Sequence, residues 1–249
     1  MGIQGLVAVL VFVIATYCMA KGYLTRATAT LMAASTLMFL RIIPSEVAYD
    51  FIDFNTIGLL IGMMIIVGVL SRSGLFQYVA VKAIKLTGGK GYLLLVSIVS
   101  VTAILSAFLD NVTTVLLISP IILSLTDLLG LNPVPFLVSE ALASNIGGAA
   151  TLIGDPPNII IGSFAGFSFL DFLVNLSPVA VVILLVSIVF LGWFYRKDLF
   201  GAPSLSDRLA DVDESRLIRD PLLLKRSLVA MTAVLAGFTV HHILHLEAS

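Results

Sequence analysis

The chain has little charge and almost no cysteine. Asp, Glu, Lys and Arg make up 12% of its 249 residues, against 59% hydrophobic residues and a mean hydropathy of +1.11. That is too apolar a composition for a soluble domain of this length. Cys18 is the sole cysteine and lies inside an apolar run, so there is neither a disulfide framework nor a thiolate metal site. No basic residue occurs among the first twenty positions. Without that n-region, residues 3–20 read as a first membrane helix rather than a cleaved signal. A phosphate-binding glycine loop, a dinucleotide fingerprint and a Ser/His/Asp arrangement outside the apolar runs are all missing, which makes an enzyme the least supported class. Histidine is confined to His241, His242 and His245. His241 and His245 share a helix face, but no acid lies between them as in the zinc-protease pattern, so no resident metal is expected. Neither a cofactor nor a nucleic-acid partner is expected. The net charge of −1 says little about partners; its distribution says more.

What the chain does have is apolar runs of about 18 residues, the length that crosses a bilayer core. They lack the alternation of barrel strands. The expected fold is therefore an all-α polytopic membrane protein. Five ordinary spans are drawn at 3–20, 27–43, 54–71, 176–195 and 227–246. Two irregular units, 91–129 and 133–174, separate the third from the fourth. If the first irregular unit is a hairpin that returns to its own side and the second is a full crossing, every Lys and Arg except Arg41 falls on one face. Glu46, Asp50, Asp53, Asp171 and Glu247 fall with Arg41. The positive-inside rule then puts the N-terminus outside and the basic loops in the cytoplasm of a plasma-membrane protein. Residues 74–87 carry Leu75, Val79 and Ala83 at helical spacing and read as an amphipathic helix on the cytoplasmic surface. Residues 196–226, interrupted by Pro203 and Pro221, read as a polar cytoplasmic loop whose charges are simply solvated. Gly58, Gly62 and Gly68 read as sites of close helix packing.

An ionisable group at membrane depth is costly and marks a functional candidate. Asp110, Glu140 and Asp155 qualify. Asp110 and Asn111 sit midway along the 91–129 unit, with arms of roughly 27 Å on either side if fully helical. As a re-entrant hairpin, the unit gathers the Asp110 carboxylate, the Asn111 carbonyl and the Thr113 and Thr114 hydroxyls at depth, oxygen ligands suited to a hard cation or a proton. As an external loop, its Asp110 would merely cap the next helix. The 133–174 unit is broken by the run from Ser144 to Asn158, which holds three glycines, two prolines, an aspartate and two asparagines. Such backbone survives in a membrane only when buried in protein or lining a polar cavity. Asn145 is expected to follow the first half-helix, with Gly147 and Gly148 allowing positive φ and close approach. The second half-helix is expected to begin near Asn158, with free N–H groups that favour an anion. Asp155 and Asn158 either take part in the site or cap that helix, roles that are compatible. Ser144 and Thr151 are weaker candidates, since membrane hydroxyls often bond their own helix. Glu140 is either a second protonatable group beside Asp110 or a structural partner for a neighbouring helix.

Ser106 to Leu117, followed by Ser144 to Asn158, resembles the ion transporter superfamily. The similarity is nearest to ArsB/NhaD-type permeases and the pink-eyed-dilution protein, with citrate transporters and divalent-anion/sodium symporters further off. The resemblance implies a secondary transporter of two inverted repeats, usually a homodimer. Each repeat contributes a re-entrant hairpin and a discontinuous helix whose tips build the ion and substrate sites. In the dicarboxylate branch the hairpin tip reads Ser-Asn-Thr and helps bind sodium; here the matching place is Asp110–Asn111–Val112–Thr113. The acid implies proton coupling or a changed ion preference, with sodium implied near Asn111 and Asn145 if sodium is the coupling ion.

On this reading residues 1–197 form one repeat, 198–226 a loop and 227–249 the first helix of a second repeat. The missing second hairpin carries the expectation that these residues alone do not transport. The leading function is alternating-access transport of a small inorganic ion coupled to H+ or Na+, arsenite- or antimonite-permease-like. Na+/H+ exchange and anion transport are alternatives within the superfamily. A channel-like pore and a non-transporting membrane subunit are alternatives of other classes.

Overall fold

A computed structural model describes residues 2–50, 52, 54–88, 90–200 and 217–244. The chain divides into two compact units, Met1–Phe54 and Asn55–Ser249. In the first, α1 (Ile3–Ala20) has no buried residue and is apolar on all sides, as a helix facing lipid requires. It packs on α2 (Arg26–Phe39), which Thr25 caps by accepting from the Thr28 N–H at 3.2 Å; a short α3 (Ser45–Asp50) follows. The helix expected over 27–43 stops at Phe39, because Arg41 takes a left-handed φ of 52° and the chain leaves the helical path.

The second unit holds α4 (Phe54–Arg72), α5 (Leu75–Lys85), α6 (Gly91–Ser106), α7 (Asn111–Leu129), α8 (Val134–Gly148), α9 (Pro156–Ala165), α10 (Phe169–Asn175), α11 (Ser177–Phe194), α12 (Arg196–Phe200) and α13 (Pro221–Leu244). No strand occurs among the described residues. A 58° bend separates α4 from α5 at Gly74, whose φ of 86° suits only glycine well. The face that α5 buries is Phe76, Ala80 and Ile84, one residue along from the face expected. The larger Phe and Ile rings and branches win the core over Leu75 and Ala83. A Cβ added to Gly58, Gly62 or Gly68 would meet nothing within 4 Å, so the close packing expected there is not observed.

The hairpin is present as two helices joined by the short tip Ala107–Asp110. Leu94, Leu95, Ile98 and Val99 of α6 are fully buried against Ile118 and Ile122 of α7, Phe136 and Ala143 of α8 and Ile188 and Leu191 of α11. Residues 130–133 return the chain to α8: Gly130 ends α7 at φ 64° and Pro133 precedes the first turn of α8. Helices α6 and α8 run in parallel, with Ala103 against Gly147 and Ala107 against Thr151. Helix α7 runs antiparallel to α8, with Asn111 against Asn145 and Ser119 against Glu140.

Beyond the break, the expected single arm to residue 174 is not continuous. Gly166 closes α9 at φ 70°, and α10 leaves at 111° to it. Ser168 starts α10 with a capping box: its Oγ accepts from the Asp171 N–H at 3.2 Å, and Asp171 Oδ2 accepts from the Ser168 N–H at 2.8 Å. Ser168→Ala is expected to cost about 1 kcal/mol, and Ser168→Thr far less; thermal unfolding in detergent that failed to separate the two variants would show the cap to be idle.

Among the described residues, Ile3–Ala20, Asn111–Leu129 and Ser177–Phe194 are long and apolar enough to cross a membrane, and two bent pairs would add further spans. The α11 side chains Val182, Val186, Val189, Phe190 and Trp193 are all more than half exposed, an apolar surface that lipid would cover. α13 begins at Pro221, ahead of the expected 227, since Asp220 Oδ1 accepts from the Leu222 and Leu223 N–H groups and caps it early. The loop expected over 196–226 includes the helical residues of α12; residues 201–216 lie outside the described residues. So does His245, and nothing is described of the His241 and His242 side chains.

Candidate functional site

The hairpin tip and the break between α8 and α9 meet. Asn111, the first residue of α7, joins them. Its Nδ2 donates to Asp155 Oδ2 at 3.0 Å and reaches Asn145 Oδ1 at 3.4 Å. Its Oδ1 lies 2.9 Å from Ser106 Oγ, which is also 2.7 Å from the Ser144 carbonyl oxygen, so the one hydroxyl hydrogen has two acceptors within reach. Two amides, one carboxylate and a buried serine thus tie α6, α7, α8 and the break into one cluster.

Glycine makes the approach possible. A Cβ on Gly148 would strike the Asn111 side chain, with Asn111 Cγ at 3.0 Å; one on Gly147 would lie 2.6 Å from Ala103 Cα; and one on Gly154 would lie 2.8 Å from the Ser106 carbonyl oxygen. Positive φ plays no part at Gly147 or Gly148, which are both helical residues of α8. Helix α8 also runs three residues past Asn145, so Asn145 lies in its last turn instead of following it, and its carbonyl accepts from the Ala149 N–H at 3.1 Å.

The seven-residue break is held from both sides. Thr151 Oγ1 donates to the Ala107 carbonyl of the tip. Asn158 Nδ2 donates to the Gly148 carbonyl at 3.0 Å and the Thr151 carbonyl at 2.8 Å, so this side chain braces the break and does not cap α9. Ser177 Oγ donates to the Ala150 carbonyl at 2.8 Å. Asp155 occupies the N-cap position of α9 without a side-chain cap bond, which leaves its carboxylate to Asn111.

The expectation of an anion at the start of α9 meets a physical obstacle. The helix begins at Pro156–Pro157, neither of which has an N–H, and the Asn158 N–H is bonded to the Asp155 carbonyl at 3.0 Å. Few donors remain there for an anion.

Four candidates stand apart from the cluster. Asp110 caps α7: Oδ1 accepts from the Thr113 N–H at 2.9 Å, and Oδ2 accepts from the Thr113 hydroxyl. Thr113 is thereby committed to Asp110. Thr114 is fully buried, with no partner for its hydroxyl. Glu140 is buried between α7 and α8. Ser106 was the residue that sequence reasoning passed over; it lies one turn before Asp110, but nothing in its position alone distinguishes it from a helix-bonded serine. No group of His, Cys, Asp or Glu that would hold a metal occurs among the described residues.

Residues 8–249 match the citrate transporter family. The chain belongs to this family. An uncharacterized transporter of Mycobacterium tuberculosis is 43% identical over 254 residues, which cover 99% of this chain and 58% of that protein. The 46 kDa membrane protein of Mycobacterium leprae is 42% identical over 246 residues, 97% of this chain and 57% of its own length. The P protein of Homo sapiens is 47% identical over 129 residues, 48% of this chain and 15% of that protein. This member of the citrate transporter family therefore spans a little over half the length of the mycobacterial relatives. The family match and the P protein agree with the resemblance carried by the two motifs, and the apolar helices make the chain a multi-pass membrane protein.

Proposed function

We propose that this chain supplies the hairpin and broken-helix repeat of a secondary active transporter that moves a small inorganic ion by alternating access. In this reading the complete protein pairs it with a second, inverted repeat, works as a homodimer in the plasma membrane, and keeps the basic loops in the cytoplasm. The observation that carries the proposal is the Asn111 cluster: side-chain bonds from the hairpin tip to Asn145 and Asp155, 34 and 44 residues away in sequence. Irregular backbone braced by polar side chains in an apolar chain is how transporters build ion sites.

The cluster favours a cation. Its side chains offer Asp155 and two asparagine oxygens, the hydrogen bonds that build it involve neither Lys nor Arg, and the prolines of α9 withhold the donors an anion needs. Sodium or a proton is therefore the coupling ion, held near Asn111, Asn145 and Asp155. The transported species remains the small inorganic ion of the resemblance, with arsenite or antimonite first. Na+/H+ exchange is the second reading, and it gains from the same cation-favouring chemistry.

Proteoliposomes holding the complete transporter test this. Arsenite, sodium and citrate fluxes are measured separately, each with a proton gradient, a sodium gradient and neither. Saturable flux of one species driven by one gradient is expected, and Asp155→Asn is expected to reduce it by about tenfold or more through the lost charge on the Asn111 amide. Non-saturating flux without coupling would replace the transporter with a pore, and no flux of any species would leave a non-transporting subunit.

A further inference from the structure

We propose that Glu140 is a proton-carrying group, placed inside the bundle and apart from the Asn111 cluster; this rests on the transport reading above. Glu140 is 1% exposed. Its Oε2 accepts from Ser119 Oγ at 2.7 Å, while Oε1 has no partner. A buried carboxyl oxygen without a partner is rare and calls for a physical reason.

Among the described residues, the helices packed around Glu140 supply no counter-ion. Helices α6, α7 and α11 pack on α8. α6 and α11 contain no Asp, Glu, Lys, Arg or His. The one phenol on α6, Tyr92, lies near its start against Gly192 of α11. The only charged residue of α7 is Asp127, two turns past Ser119 and exposed, and α8 itself has no other titratable side chain. An ionised Glu140 therefore has nothing of opposite charge to face, and a carboxylate in that state is strongly disfavoured away from water. The neutral acid is relieved of this cost and gains a donor for the idle side of the group.

A second observation connects Glu140 to the tip. Thr114 of α7 and Thr102 of α6 are both fully buried, and both hydroxyls lack partners. With Ser119 opposite Glu140 and Asn111 opposite Asn145, the antiparallel register puts Thr114 between the two levels. Thr102 directly precedes Ala103, which touches Gly147. Unpartnered hydroxyls thus occupy the levels between Glu140 and Ser106–Asn111. Asp110 is a poorer carrier, since both its oxygens already serve Thr113. The step is simple: a Glu140 oxygen takes one proton from the water-accessible side, giving the neutral acid, and returns it to the opposite side, restoring the carboxylate.

The test uses the complete transporter. Dicyclohexylcarbodiimide is an apolar reagent that attacks protonated carboxyls in apolar surroundings, and mass spectrometry locates the adduct. Labelling at Glu140 that falls as pH rises is expected. In proteoliposomes Glu140→Gln is expected to lose the pH dependence of flux, while Ser119→Ala shifts the profile without removing it. Labelling of Glu140 that ignores pH, or no labelling there, would overturn the proposal, and this readout needs neither a folded variant nor any transport. A pH profile unchanged in Glu140→Gln would overturn it as well. Absence of flux in the unsubstituted protein, with pH-dependent labelling intact, would instead count against the transport reading while Glu140 still exchanges its proton.

Discussion

Gly147→Ala is expected to disable the protein. The new methyl carbon would lie 2.6 Å from Ala103 Cα and closer still to the Ala103 carbonyl oxygen, and both obstacles are backbone of α6. A flexible side chain would swing aside; a helix must shift bodily. Inserting volume into a packed interior costs about 1–3 kcal/mol when neighbours yield, and here the obstacle is helix backbone at the buried Ala103, so the upper end applies. Roughly 5–10 °C should be lost from the unfolding midpoint. Function should suffer more than stability, because any separation of α6 from α8 also parts Ser106 from the Ser144 carbonyl, 2.7 Å away. Gly58→Ala is the control: the space there is open, and alanine improves an exposed helix position by about 0.5–1 kcal/mol. Thermal unfolding in detergent together with flux would decide; equal midpoints for the two variants would mean that α6 and α8 do not meet at Gly147.

Asn111→Asp should stop flux while leaving the fold intact. The substitution keeps the side-chain shape and the oxygen beside Ser106, but turns the Nδ2 donor into a second oxygen facing Asp155 Oδ2 at 3.0 Å and Asn145 Oδ1 at 3.4 Å. A favourable charge-assisted hydrogen bond becomes a meeting of acceptors. The lost bond alone is worth about 1.5–3 kcal/mol, or roughly 10–150-fold in flux, and the repulsion adds to it. Asn111→Ala loses the bond without the repulsion, so its flux should fall between that of Asn111→Asp and the unsubstituted protein. Flux in Asn111→Asp equal to that of the unsubstituted protein would remove the cluster from the transport site.

These two sites differ in how visible they were beforehand. The break was legible because glycine, proline and aspartate violate helical continuity in an otherwise apolar run, and the hairpin was legible because a polar centre divided two apolar arms. Convergence of tip and break followed from the resemblance, and the Asn111 bonds bear it out. Other features depend on tertiary partners that one sequence does not display. Which face α5 buries turned on whether Leu75 or Phe76 met the core, a shift of one residue within an amphipathic helix. Gly58 and Gly147 look alike in sequence, yet only the second has a helix against it. The bend after Ala165 had its signals in Gly166 and the Ser168–Asp171 pair, but apolar residues on both sides masked them. Asp110 and Asp155 each precede an asparagine- or proline-led helix, yet in the folded chain the first caps its helix and the second does not.

The two hydrogens of the Asn158 amide are both spent on carbonyls flanking the interrupted stretch, one from Gly148 and one from Thr151. These bonds fix the loop from within the chain. On the transport reading proposed above, the entropy of arranging it is charged to folding and not to ion capture.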